Sequence, residues 1–138
     1  EDSDAWMQNM HRLTKKIEST RNQLPAPIVD ERGASIGILT FGSNEPAAME
    51  ARDYLEAQGI QTDYMRVRAL PLADSVKDFV LKHEQVFVVE NNYDGQLNQI
   101  LRVEYPEDLR HVTSLALGDG LPMTADFIVN GIMAQTQK

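Results

Sequence analysis

A chain of 138 residues, 42% of them hydrophobic, can bury roughly two thirds of its unfolded surface in one compact domain. Its net charge of -8 argues against a nucleic-acid partner, because phosphate recognition needs clustered Lys and Arg. The absence of cysteine excludes a disulfide frame, thiolate zinc and iron–sulfur ligation, and no signal-peptide core or apolar run near ~18 residues occurs, so no membrane partner and a cytoplasmic setting are expected.

The opening Glu1-Asp2-Ser3-Asp4 carries no initiator Met and reads as part of a longer protein. Trp6, Met10, Leu13 and Ile17 recur at helical spacing, with Lys15, Lys16, Glu18 and Arg21 on the other side, which predicts an amphipathic helix over residues 4–22. Pro25 and Pro27 end it, and residues 24–34 read as a linker rich in turn formers. Such a helix ordinarily packs back on its own domain; the alternative is a brace to another domain or subunit, with Trp6 as its apolar anchor.

Short apolar runs then alternate with helical patterns. Strands are predicted over 35–41, 60–67, 85–90 and, more weakly, 112–117. Helices are predicted over 45–58, 75–82, 95–104 and 125–134. Strands joined through helices imply right-handed crossovers. The fold class is therefore α/β: a three-layer, open, mostly parallel sheet preceded by one amphipathic helix. The chain divides into an N-terminal helix and linker, 1–34, and an α/β domain, 35–138.

The carboxyl ends of parallel strands are where ligands and partner surfaces gather. Glu90, Asn91 and Asn92 stand at one such end, and packing alone does not call for three acid or amide side chains there. A carboxylate in that position is more often paired or exposed than buried. Gly42-Ser43-Asn44-Glu45-Pro46 sits where phosphates often bind, but Glu45 brings a negative charge and Pro46 removes an amide. Ser43 or Asn44 as a helix N-cap explains that segment.

Gly118-Asp119-Gly120 resembles the start of a thiamine diphosphate motif, yet too little chain follows to complete one; a turn before Pro122 and a Thr124 cap account for it. His11, His83 and His111 have no metal-like spacing and read as surface or packing residues. Arg66 and Arg68 project to one side of a strand end, as a pair that binds an anion or a salt-bridge acid, or as partners of Asp63, Asp74 or a partner chain. No complete catalytic set is present in these patterns.

Several segments in order carry a resemblance. They are Gly42-Ser43-x-Glu45-Pro46, Gly59-Ile60, the run from Asp63 through Arg66, Arg68 and Pro71, Val88-Val89-Glu90-x-Asn92-x-x-Gly95-Gln96-Leu97, and Asp119-Gly120-Leu121-Pro122. Together they resemble the C-terminal part of the 2-oxoacid:ferredoxin oxidoreductase alpha subunit, most like the 2-oxoglutarate type. Met10, Arg12, Lys15 and Lys16 resemble that family's basic helix, which joins the thiamine-pyrimidine domain to this one.

The resemblance implies a fold similar to the transketolase C-terminal domain and an enzyme that decarboxylates a 2-oxoacid oxidatively to acyl-CoA while reducing ferredoxin. It implies that thiamine diphosphate, Mg and the iron–sulfur cluster are held elsewhere, with no cofactor on this chain. It further implies a beta subunit and a second alpha subunit as partners, with ferredoxin and coenzyme A met by the whole complex. Glu90, Asn91, Asn92 and Gln96, then Ser43, Asn44 and Arg68, are expected to meet a partner or wall the substrate approach, with no catalytic residue here. The competing expectations are a non-catalytic interaction module of the same fold and a flavodoxin-like flavin domain.

Overall fold

The computed structural model describes residues 2–21, 23–105 and 109–136. The elements in chain order are α1 (Ser3–Thr20), β1 (Ile28–Asp30), β2 (Ile36–Phe41), α2 (Glu45–Ala57), β3 (Thr62–Val67), α3 (Asp74–Lys82), β4 (Gln85–Glu90), α4 (Gln96–Glu104), β5 (Val112–Ala116) and α5 (Ala125–Thr136). The sheet order is β1-β3-β2-β4-β5, parallel throughout except for β1.

Period-two alternation builds the three layers. Ile38 stands opposite Tyr64 and Phe87 in register, and these three, with Val89, pack under Ala48, Ala51 and Leu55 of α2 and Ile128 and Ile132 of α5. Their neighbours Leu39, Met65 and Val88 point to the opposite face, against Val76 and Phe79 of α3 and Leu97 and Leu101 of α4. The central strands β2, β3 and β4 are buried on both faces, which is why they read as near-continuous apolar runs. The expected α/β class and layering hold.

Two expectations need correction. The linker over 24–34 contains a strand: β1 pairs antiparallel with β3, Ile28 opposite Arg66 and Asp30 opposite Tyr64. No local periodicity marks three residues after two prolines. A buried guanidinium holds them. Arg52 of α2 donates from Nη1 to Asp30 Oδ2 at 2.6 Å and from Nη2 to the Thr62 carbonyl at 2.9 Å, and lies over the Tyr64 ring. Nearby, Asp63 accepts the amides of Arg32 and Ala34 at 2.7 and 3.1 Å and meets His83 Nε2 at 3.1 Å.

The helix α1 does not pack back on the domain. It has no buried residue, and Trp6 is 60% exposed. Arg21, just past its end, ties it to the body through the Leu72 carbonyl and through Glu104 at 3.2 Å. Position 22 of the predicted span lies outside the described residues, as do residues 1, 137 and 138 of the predicted domain bounds. No helix of the described residues is long and apolar enough to cross a membrane.

Candidate functional site

Strand β4 runs from an apolar interior to a carboxylate that water does not reach, with Glu90 0% exposed. Its Oε2 accepts the Leu97 amide at 2.5 Å and the Asn92 side-chain amide at 2.9 Å, while Oε1 accepts the Asn98 amide at 3.0 Å. Asn92 Oδ1 takes the Gly95 and Gln96 amides at 2.7 and 3.1 Å. The first amides of α4, which no turn of helix precedes, are thus satisfied from the strand end and the loop. A negative group at a helix N-terminus also meets the positive end of the helix dipole.

Gly95 makes this possible with φ 65°, and a Cβ there would stand 2.8 Å from Ser114 Oγ. Glu90, expected to face a partner, therefore faces inward and shapes the loop. Asn92 belongs to the same clamp. Asn91 is exposed and donates to the Leu121 carbonyl at 3.2 Å, linking this loop to the one after β5. Gln96 is exposed beside the mouth of a hollow.

The loop after β2 holds the second group. Ser43 is exposed, but Asn44 turns inward, donating to the Val89 carbonyl at 3.4 Å, which also accepts Thr40 Oγ1 at 2.8 Å. The expected N-cap by Ser43 or Asn44 is not made: a short 3-10 turn over Gly42–Asn44 leads straight into α2 with no side-chain cap. Arg68 is exposed and donates from Nε to the Ala26 carbonyl at 2.6 Å. Arg66 pairs with Glu45, not with Asp63 or Asp74, because β3 ends beside the start of α2. Beneath them the Tyr64 hydroxyl is buried without a hydrogen-bond partner, and burial pushes its pKa up to about 12.

Two hollows flank the 41–44 turn at the carboxyl edge. The first, about 650 Å³, is walled by Phe41, Val67, Ala69, Leu70, Leu97 and Ile100, with Arg66, Arg68 and Gln96 as its polar members. The second, about 740 Å³, lies between Ser43, Pro46, Asn91 and the 118–123 loop. The residues that the sequence singles out belong to the polar rim alone. Phe41, Leu70, Tyr93 and Leu121 are large, apolar and exposed on the same edge, Tyr93 at 86%. In the sequence they are single apolar residues in loops or at a strand end, which carries little signal without knowing that the loops converge.

The other candidates resolve as packing. Asp119 Oδ1 accepts the Leu121 amide at 2.9 Å, so its carboxylate closes its own turn, and Thr124 caps α5 by accepting the Phe127 amide at 3.3 Å. With Asp119 so engaged and Asn130 out on α5, the residues present do not fit a thiamine diphosphate–Mg site. His83 is locked between the Phe79 carbonyl and Asp63, and His111 meets the Val80 carbonyl at 2.9 Å. Among the described residues no His, Asp and Glu cluster could hold a metal ion.

No family model matches the chain. Over 130 residues, 90% of its length, it is 25% identical to the alpha subunit of the 2-oxoacid:ferredoxin oxidoreductase of Saccharolobus solfataricus. A solved chain of 2-oxoglutarate:ferredoxin oxidoreductase from Magnetococcus marinus, with 2-oxoglutarate, coenzyme A and succinyl-CoA bound, superposes on 98% of it with TM-score 0.76 and 27% identity. Transketolase from Campylobacter jejuni shares the fold alone, with TM-score 0.56 and 16% identity over 79% of this chain and 18% of that one. The chain spans 20% of the Saccharolobus relative and 24% of the Magnetococcus one.

Proposed function

We propose that this chain, whose homologues are alpha subunits of 2-oxoacid:ferredoxin oxidoreductases, is the transketolase C-terminal-like domain of such a subunit. The intact cytoplasmic enzyme would decarboxylate a 2-oxoacid, 2-oxoglutarate by preference, oxidatively to its acyl-CoA and pass the electrons to ferredoxin. Supporting this is one observation above all: the resemblance to the Magnetococcus protein runs through 98% of the chain, α1 included. The ligands bound to that protein support the 2-oxoglutarate preference.

In this reading the chemistry belongs to cofactors placed by other parts of the assembly. Thiamine diphosphate, Mg and the iron–sulfur cluster would be held by other parts of the assembly, a reading supported by the engagement of Asp119 in its own turn and by the lack of cysteine in this chain. The domain contributes rigid placement. Its clamp fixes the loop after β4, so that Asn91 and Gln96, with Ser43 and Arg68 on neighbouring loops, present hydrogen-bonding groups to the beta subunit, to a second alpha subunit or to the coenzyme A approach. Helix α1 and the turn after it form the tail of a preceding domain, and the α/β domain begins at β1.

The test is anaerobic purification of the tagged full-length protein. Recovery with a thiamine-binding partner, iron–sulfur absorbance and 2-oxoacid-dependent reduction of viologen is the expected result. A lone, colourless protein without that turnover would overturn the reading in favour of an interaction module.

A further inference from the structure

The chain leaves β2 for β3 on one side of it and later returns to β4 on the other, so the strand order reverses at β2. The helix after β2, α2, packs on one face of the sheet, and the helix after β4, α4, packs on the opposite face. The loops leaving these two neighbouring strands therefore part above the carboxyl edge, and a crevice opens between them. In open α/β sheets ligands bind in such a crevice. The 650 Å³ hollow lies there: Phe41 and Gly42 at the end of β2 form one wall, Gln96, Leu97 and Ile100 of α4 a second, and residues 66–70 at the end of β3 a third. Its size falls within the ~300–1,000 Å³ of small-molecule sites.

The walls are mainly apolar, and their charged groups leave one positive charge in excess. Arg66 is paired with Glu45, whereas Arg68 gives only its Nε to the Ala26 carbonyl and pairs with no carboxylate among the described residues. Its Nη groups remain as a fork of donors that suits a carboxylate. Gln96 is exposed at the mouth, and Arg66 Nε is a further donor in the wall, buried without a hydrogen-bond partner. One unpaired guanidinium matches one negative charge. A phosphate dianion or a dicarboxylate such as 2-oxoglutarate would bring a second, with no counterpart on a chain whose net charge is -8. The apolar walls, for their part, gain by covering a hydrocarbon group and releasing water.

We propose that this hollow is a binding site for a small monocarboxylate with an apolar chain, its carboxylate on Arg68 and Gln96 at the mouth and its chain against Leu70, Leu97 and Ile100. The walls are preformed, since the Glu90 clamp fixes the start of α4 and the Ala26 carbonyl holds Arg68. No acid, base or nucleophile among the groups that line the hollow is placed to react with such a ligand, so the acid is held there and not turned over. The site goes beyond the proposed function and does not depend on it.

The experiment titrates octanoate, and octanamide as its uncharged analogue, into the full-length protein in its purified assembly, followed by calorimetry and by ligand-detected saturation-transfer NMR. Saturable binding is expected, about tenfold tighter for octanoate than for octanamide, the difference a charge-assisted hydrogen bond makes. Arg68→Glu is expected to weaken octanoate by about tenfold or more and to leave octanamide nearly unchanged. Ile100→Trp, which fills the hollow, is expected to weaken both, and Leu70→Trp at an exposed position takes its place if that variant does not fold. Equal affinity for the two probes, octanoate binding indifferent to Arg68→Glu or to the filled hollow, or no saturable binding in the assembly overturns the proposal. Viologen reduction is read on the same samples. Turnover without octanoate binding refutes the site alone, and octanoate binding without turnover refutes the enzymatic reading alone.

Discussion

Replacing Glu90 by Ala removes the acceptor of two α4 amides and of the Asn92 side chain at a site with no exposure. Each buried amide left without a partner costs about 1–3 kcal/mol, and the lost helix-terminal charge adds up to ~2 kcal/mol. Since these overlap, Glu90→Ala should cost about 3–5 kcal/mol. Glu90→Gln keeps the shape but turns an NH₂ toward an N–H donor, and should cost about 1.5–3 kcal/mol. Asn92→Ala frees two amides at a partly exposed loop where water can replace it, so about 1 kcal/mol is expected.

Thermal and urea unfolding followed by circular dichroism would rank the three. In a domain of this size about 4 °C of Tm accompanies each kcal/mol, so Glu90→Ala should lose about 12–20 °C. Hydrogen exchange at Leu97 and Asn98 should accelerate in the same order. If Glu90→Ala costs no more than Asn92→Ala, or if the two amides keep their protection, the clamp does not hold α4 and the reasoning fails.

Asp30→Ala should destabilise the chain by about 1–3 kcal/mol, and more than Arg52→Met does, because it leaves a buried guanidinium without its carboxylate while the half-exposed Asp30 left by Arg52→Met stays hydrated; urea midpoints compare them. Burial by itself raises the Asp63 carboxyl, but the Arg32 and Ala34 amides and the His83 ring outweigh it and hold the pKa below the usual value. With the folded pKa below the unfolded ~3.9, the stabilisation is full above that value and disappears as pH falls through the folded pKa. Asp63→Asn should therefore lose stability at pH 7 and show a flatter acid limb when unfolding midpoints are followed from pH 6 to 3. Gly118→Ala would place a Cβ 2.6 Å from the Tyr93 backbone and should cost about 1–3 kcal/mol, read by thermal unfolding, with amide shifts at 91–95 and 118–123.

The strands and helices were legible because each apolar set repeats at the period of its element: Val86 to Val89 as a two-faced strand, Leu97 and Leu101 as a helix stripe. β1 was not, because its pairing rests on Arg52, twenty-two residues away, reaching Asp30. The standing of α1 was not either. Trp6, Met10, Leu13 and Ile17 announce an apolar face, but a periodic pattern says that a face will be covered and nothing about which body covers it.

At the carboxyl edge the division is the same. The chain order places Glu90, Asn91 and Asn92 at a strand end, and from a parallel sheet it follows that this end is the rim. Hydrogen-bond geometry then separates them: Glu90 and Asn92 satisfy orphaned helix amides, while Asn91, Gln96, Ser43 and Arg68 remain at the surface. Fold class and layer order thus follow from local periodicity, which the sequence carries by itself. Inward or outward use of a polar side chain, the hollow beside Leu70 and the openness of α1 depend on which distant segments converge, and only tertiary packing decides that.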